Sequence, residues 1–264
     1  MNLVENLNNR FSNKIYQFNN FIYTLIIDLK DACVIIFRDL PRGKFYYENF
    51  LENLRKIVWN CLPIAVLTVS ASAFIYSIHG APELSRRGLT DYLGGLVALA
   101  LIRESVPVMA ALAIVSQYSS GMTAQIGSMK ITEQLDAMKI LKVYPNAYLL
   151  APMILAGLIG FPIVIMICII VGIFVNYMIS NVLIDINYHL YFSSIFKTIE
   201  LKDIFLALVK ASVFGFFITL ISYICGILTQ GGSKAVGSST RLSVVINFIL
   251  VVVLDYIITA LWLD

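Results

Sequence analysis

The chain has 264 residues, 59% of them hydrophobic and only 13% charged, with a mean hydropathy of +0.84. A soluble domain carries roughly a quarter of its residues charged, so the composition excludes a water-soluble fold. The net charge of +3 comes without any basic stripe and sets nucleic acid aside as a partner.

Residues 1–50 form an N-terminal amphipathic or interfacial region. Glu5, Arg10, Lys14, Asp28, Arg38 and Lys44 interrupt it, leaving no apolar core of the kind a cleavable signal peptide needs. Within it, Phe18, Ile22, Leu25, Leu29, Cys33 and Ile36 recur at helical spacing, while Gln17, Asn20, Lys30 and Asp31 fall mostly on the other face. That pattern predicts a helix lying in the membrane interface; a cytoplasmic helix packed on a partner is the other reading. Pro41 and Gly43 break the chain before the next element.

Residues 51–264 divide into about five apolar runs long enough to cross ~30 Å of hydrocarbon. The predicted spans are 57–79, 91–119, 148–179, 204–228 and 242–263. The third contains Pro152, Gly157, Gly160 and Pro162 and is expected to be tilted or kinked. Between the second and third spans, Ile126, Met129, Leu135, Met138 and Leu141 predict a surface helix over about 123–142. Gly121 and Gly127 there permit close backbone approach and a tight bend. Segments 185–203 and 229–240 read as loops. The fold class is therefore an all-α integral membrane protein. Lys and Arg concentrate within 10–56, 130–142 and 234–241, against Arg86, Arg87, Lys197 and Lys202 on the other side. This bias predicts a cytoplasmic N-terminus and surface helix, with the C-terminus on the outer face.

Ionisable side chains in a span cost at least ~2.5 kcal/mol unless they find a partner or a cavity. Arg103, Glu104, Lys210 and Asp255 are such residues. Arg103 and Glu104 point about 100° apart on a helix, so at least one is expected to face a cavity or another helix. Mutual pairing that locks the packing is compatible with that. No catalytic constellation is present. Gly226, Gly231, Gly232, Ser233 and Lys234 lack the Gly-Lys-Ser/Thr succession of a phosphate loop. Cys33, Cys61, Cys168 and Cys225 are widely spaced in apolar stretches and read as buried thiols. His79 and His189 stand alone near span ends.

The segment after the second span is the most informative. It contains Gln125-Ile126-Gly127-Ser128-Met129 and Thr132-Glu133-Gln134-Leu135-Asp136-Ala137-Met138. It resembles the signature of the MlaE (YrbE-like) family of ABC transporter permeases, Glu-Ile-Gly-x-Met followed by Thr-Glu-Gln-Ile-Asp-Ala-Leu. Upstream, Leu101-Ile102-Arg103-Glu104-Ser105-Val106-Pro107-Val108 is similar to that family's Leu-Arg-Glu-x-Gly-Pro-Val. Downstream, Pro145, Pro152, Leu155-Ala156-Gly157, Lys210 and 254–261 also match. The likeness covers roughly residues 50–264. Gln117, Gln125 and Met153 replace the family's usual Arg, Glu and Arg, and Val106 its Gly; the first two exchanges imply a charge pair replaced by neutral amides.

The resemblance implies a homodimeric permease subunit of a phospholipid transporter in the bacterial inner membrane. It carries no cofactor of its own and is not itself an enzyme, since ATP is used by a separate ABC ATPase subunit. An Mce-domain lipid-binding protein would be the partner on the outer face. Gly121, Gln125, Gly127, Met129, Thr132, Glu133, Gln134 and Asp136 would couple to the ATPase; Arg103, Glu104, Lys210 and Asp255 would lie at the substrate cavity or serve as buried charge partners. A proton-coupled secondary transporter using Arg103, Glu104 and Asp255, and a non-transporting scaffold, are the competing readings.

Overall fold

The computed structural model describes residues 46–263 together with residues 23, 24, 26–28, 30, 31 and 34. The predicted N-terminal helix has its whole apolar stripe outside the described residues. Of its polar residues, Asp28 and Asp31 accept hydrogen bonds from Asn146 Nδ2, at 3.0 and 3.2 Å.

Among the described residues, five helices are long and apolar enough to cross a membrane: Tyr47–Arg86, Thr90–Ile131, Asn146–Ile184, Leu201–Ile227 and Ser233–Trp262. They are the first to fifth spans. Helices are the expected solution, because hydrocarbon offers backbone groups no partners and each segment must satisfy its own. Every span outruns its predicted apolar run, since the run measures the membrane thickness and polar flanks continue the helix beyond it. Tyr47–Arg86, for example, has 40 residues where about 20 suffice.

Three connections differ from expectation. The surface helix predicted over 123–142 is divided. The second span continues to Ile131, and a separate short helix, Gln134–Ile140, follows a turn at Glu133, whose φ is 59°. Gly127 does not bend the chain but admits a neighbour: it faces Thr229, whose Oγ1 lies 3.1 Å from where a Cβ would be. The stretch 229–240 is a loop only as far as Gly232, because the fifth helix begins at Ser233. The segment 185–203 contains a helix, Tyr188–Thr198, capped by Asn187 Oδ1, which accepts from the His189 N–H at 2.9 Å.

The third span packs on the first and fourth. It reaches the fourth through Gly157 and Gly215, where a Cβ on Gly157 would stand 2.6 Å from the Gly215 carbonyl oxygen. The second, fourth and fifth spans meet along a buried polar seam. Asn247 Nδ2 donates to Ser119 Oγ at 2.9 Å and Ser222 Oγ at 3.1 Å, and Thr123 Oγ1 contacts Ser243 Oγ at 2.9 Å. Otherwise the fifth span is peripheral, with 11% of its apolar window buried. Connections 87–89 and 185–200 lie at one end of the bundle. The opposite end carries Lys130, Lys139 and Lys142 and is the lysine-rich end.

Candidate functional site

The second span is α-helical over Leu93–Ala100, widens to a π-turn over Leu101–Ser105, and resumes as Val106–Ile114. Such turns are frequent at functional sites. The sequence supplies a local reason for the disturbance. Pro107 has no N–H, so the Arg103 carbonyl, four residues earlier, loses its ordinary α-helical donor. Lys210 of the fourth span supplies one from its ammonium, Nζ to Arg103 O at 2.7 Å.

Lys210 is fully buried and gathers the charges around it. Its Nζ donates to Glu104 Oε2 at 3.1 Å and stands 2.7 Å from Asp255 Oδ1 of the fifth span. Asp255 Oδ1 has no hydrogen-bond partner among the described residues, so its link to Lys210 is an ion pair. Thr259 Oγ1 donates to Glu104 Oε1 at 3.1 Å. Arg103 turns away from this group. Its Nε and a terminal nitrogen both contact Asp203 Oδ1, at 2.7 and 2.6 Å.

Asp203 is held in turn by the helix it starts. Its Oδ2 accepts from the Glu200 N–H at 3.0 Å, as one half of a capping box in which the Glu200 side chain accepts from the Asp203 backbone. The four charges predicted from sequence thus lie in one cluster, and Asp203, from a segment that reads as a loop, is a fifth. The spacing Glu200-x-x-Asp203 before an apolar run is the signal that could have found it.

Arg103 and Glu104 lie nearer the end of the second helix opposite the lysines, since that helix runs from Thr90 to Ile131 and Arg103 reaches a residue in the first turn of the fourth. Beside the cluster is an apolar pocket of about 280 Å³ lined by Leu96, Leu99, Ala100, Arg103, Glu104, Leu206, Thr259 and Trp262. Glu104 exposes 45% of its side chain and Arg103 36%, whereas Lys210 exposes none. The pocket therefore meets one carboxylate and part of a guanidinium, while the lysine stays behind them.

At the lysine-rich end, the eight residues predicted to form a coupling surface are distributed over four settings. Gly121 and Gln125 line a second pocket, of about 210 Å³, with Lys56, Asn60 and Gln117. Gln117 and Gln125, the two amides that replace charged residues of the resembled family, share this wall. Lys56 spans it, contacting Glu52 at 2.6 Å and donating to Gln125 Oε1 at 3.4 Å. Gly127 is buried and Met129 half-buried against the core. Thr132, Glu133 and Gln134 are exposed on the turn. Asp136 accepts from Lys130 and Lys139, each at 3.1 Å. Those bonds, Lys130's first, hold its carboxyl below the usual 3.8. The residues do not form one helix face because Glu133 turns the chain between them. Ile140, Leu141 and Tyr144 follow, at 82%, 75% and 74% exposure.

The model of the family described as Permease MlaE matches residues 50–261. The chain belongs to the MlaE permease family. It is 32% identical over 228 residues to a "Probable ABC transporter permease protein" of Synechocystis sp., covering 86% of each chain. A protein of the same description from Rickettsia typhi is 32% identical over 227 residues, covering 86% of this chain and 88% of its own. The chloroplastic protein TRIGALACTOSYLDIACYLGLYCEROL 1 of Arabidopsis thaliana is 29% identical over 219 residues. That match spans 83% of this chain and 63% of the Arabidopsis protein. This MlaE permease is thus a multi-pass membrane transport protein, and its buried charges belong to the permease region.

Proposed function

We propose that this MlaE permease is the membrane half of an ATP-driven phospholipid transporter. It acts as a homodimer in a bacterial inner membrane, with its lysine-rich end in the cytosol and its C-terminus in the periplasm. A separate ABC ATPase docks on the turn around Glu133, and an Mce-domain protein exchanges lipid at the other end. Two relatives carry the description of ABC transporter permeases, and a third is named for a glycolipid. The positive bias of one end supports the orientation.

The observation that carries the reading is the side-by-side placement of Glu104 and Arg103 with the apolar walls of Leu96, Leu99 and Leu206 in one pocket. An amphiphile needs both surfaces at once, whereas a small ion needs no apolar wall. The pocket lies far from the proposed ATPase contact, so motion at the turn must reach it through the second span, a single helix from Thr90 to Ile131.

Co-purification tests the coupling. Glu133→Lys with Gln134→Lys reverses the character of the exposed turn without touching Asp136 and its two lysines. The ATPase subunit is expected to dissociate while the permease elutes as the wild type does. Undisturbed ATPase binding would place the coupling contact elsewhere.

A further inference from the structure

The cluster at the pocket is unbalanced. Glu104, Asp255 and Asp203 are three carboxyls, facing the two cationic side chains of Arg103 and Lys210. The nearby Glu200 and Lys202 are exposed and pair with each other at 3.7 Å, so they do not alter the balance. Arg103 is committed twice to Asp203. Lys210 donates to Arg103 O and to Glu104 and is ion-paired with Asp255. Among the described residues, one negative charge therefore has no cation of its own.

The surplus is open to the pocket at Glu104, the more exposed of the two carboxylates that share Lys210; Asp255 exposes 15% and Glu104 45% of its side chain. Trp262 lines the same pocket at the end of the fifth span. Its ring lies 6.2 Å from that of Phe205. Tryptophan is the side chain whose face best attracts an ammonium group, and at a span end it sits at headgroup level.

We infer that the pocket selects lipids whose headgroup carries an ammonium, held between the Glu104 carboxylate and the Trp262 ring, with acyl carbons against Leu96, Leu99 and Leu206. This rests on the lipid-transport reading and narrows its substrate class. The phosphate is common to all glycerophospholipids and makes no distinction. The cation is the discriminating group, because it supplies a positive charge beside carboxyls that outnumber their cationic partners.

The experiment uses the full chain reconstituted in vesicles of equal parts phosphatidylethanolamine, phosphatidylcholine and phosphatidylglycerol. Re-extraction in mild detergent and mass spectrometry then quantify the lipids retained by the protein. The wild type is expected to retain the two ammonium lipids over phosphatidylglycerol on the order of tenfold. Glu104→Gln is expected to abolish that preference. Trp262→Leu, which leaves the charges in place, is expected to lower phosphatidylcholine more than phosphatidylethanolamine.

Equal retention of all three lipids by the wild type would overturn the inference alone and assign the surplus charge to a bound proton. Enrichment of phosphatidylglycerol would overturn it equally. Retention of no lipid would overturn both this and the lipid-transport reading. If Glu104→Gln does not fold, the wild-type ratio and Trp262→Leu still decide.

Discussion

Replacing Lys210 with methionine tests the charge cluster most severely. Methionine keeps the length and apolar stem of the side chain, so the loss is confined to the ammonium. That group lies within 3.1 Å of Glu104 and 2.7 Å of both Asp255 and the Arg103 carbonyl that Pro107 deprives of its helical donor. Its removal leaves two carboxylates adjacent and a carbonyl unpaired at a site where Lys210 is wholly shielded from solvent. Breaking a buried ion pair in this way costs about 3–5 kcal/mol. For a chain of this size each kcal/mol lowers the melting temperature by about 2–4 °C, which gives a drop of about 6–20 °C. Thermal unfolding in mild detergent, followed by tryptophan fluorescence, measures it, since Trp262 lines the adjoining pocket. Adding Asp255→Asn removes one of the stranded charges and is expected to recover about 1–2 kcal/mol of the loss. A Lys210→Met protein that melts within about 2 °C of the wild type, or a double variant no more stable than the single, would refute the reasoning.

Three further outcomes follow from other parts of the fold. Gly157→Val places atoms against the Gly215 carbonyl and Thr219, and is expected to lower stability by about 1–3 kcal/mol in the same melting assay. Asn247→Ala removes the amide donor shared by Ser119 and Ser222, whose hydroxyls keep their bond to each other at 2.6 Å. It is expected to cost about 1–2 kcal/mol and to speed hydrogen exchange in the fifth helix around 243–250. At the turn, the Lys130 and Lys139 hydrogen bonds depress the Asp136 pKa below 3.8. Their contribution is therefore present at pH values above the unfolded carboxylate's and lost as pH falls through the folded value. Exchange protection over 134–140 should hold at pH 5 to 7 and fall below about pH 4; protection unchanged down to pH 2 would count against the ion pairs.

Much of this architecture is legible in the sequence because lipid is a strict solvent. A run such as 57–79 without charge has almost no other fate than to span, and the charge bias of the loops follows the same physics. Helix ends are the weak point. At 229–240 the Gly and Ser residues suggest a loop, yet Ser233 begins the fifth helix, since small residues that would be poor in an isolated helix are tolerated once the helix is anchored by Ser243 and Asn247. Gly127 suggests a bend and instead gives room to Thr229, a long-range contact that no local pattern encodes.

For the site, the expense of charge in a span is enough by itself to single out Arg103, Glu104, Lys210 and Asp255. Their partners cannot be read the same way. Asp203 lies 100 residues from Arg103 in the chain, and its polar neighbourhood disguises it as loop. Trp262 and Thr259 are ordinary span residues until the fifth helix is laid beside the second. Gln117 and Gln125, two departures from the resembled family, come together on one pocket wall because eight residues make about two helical turns.

ATP hydrolysis by a neighbouring subunit is the proposed drive for lipid movement through this permease. It is tested most directly by co-reconstituting the permease with the ATPase that co-purifies with it, and following transfer of fluorescent phospholipid between vesicles. Transfer is expected to require ATP, to stop with a non-hydrolysable analogue, and to be indifferent to a pH gradient across the membrane. Transfer that runs on a pH gradient without ATP would contradict the account and favour a proton-coupled carrier built on Glu104 and Asp255.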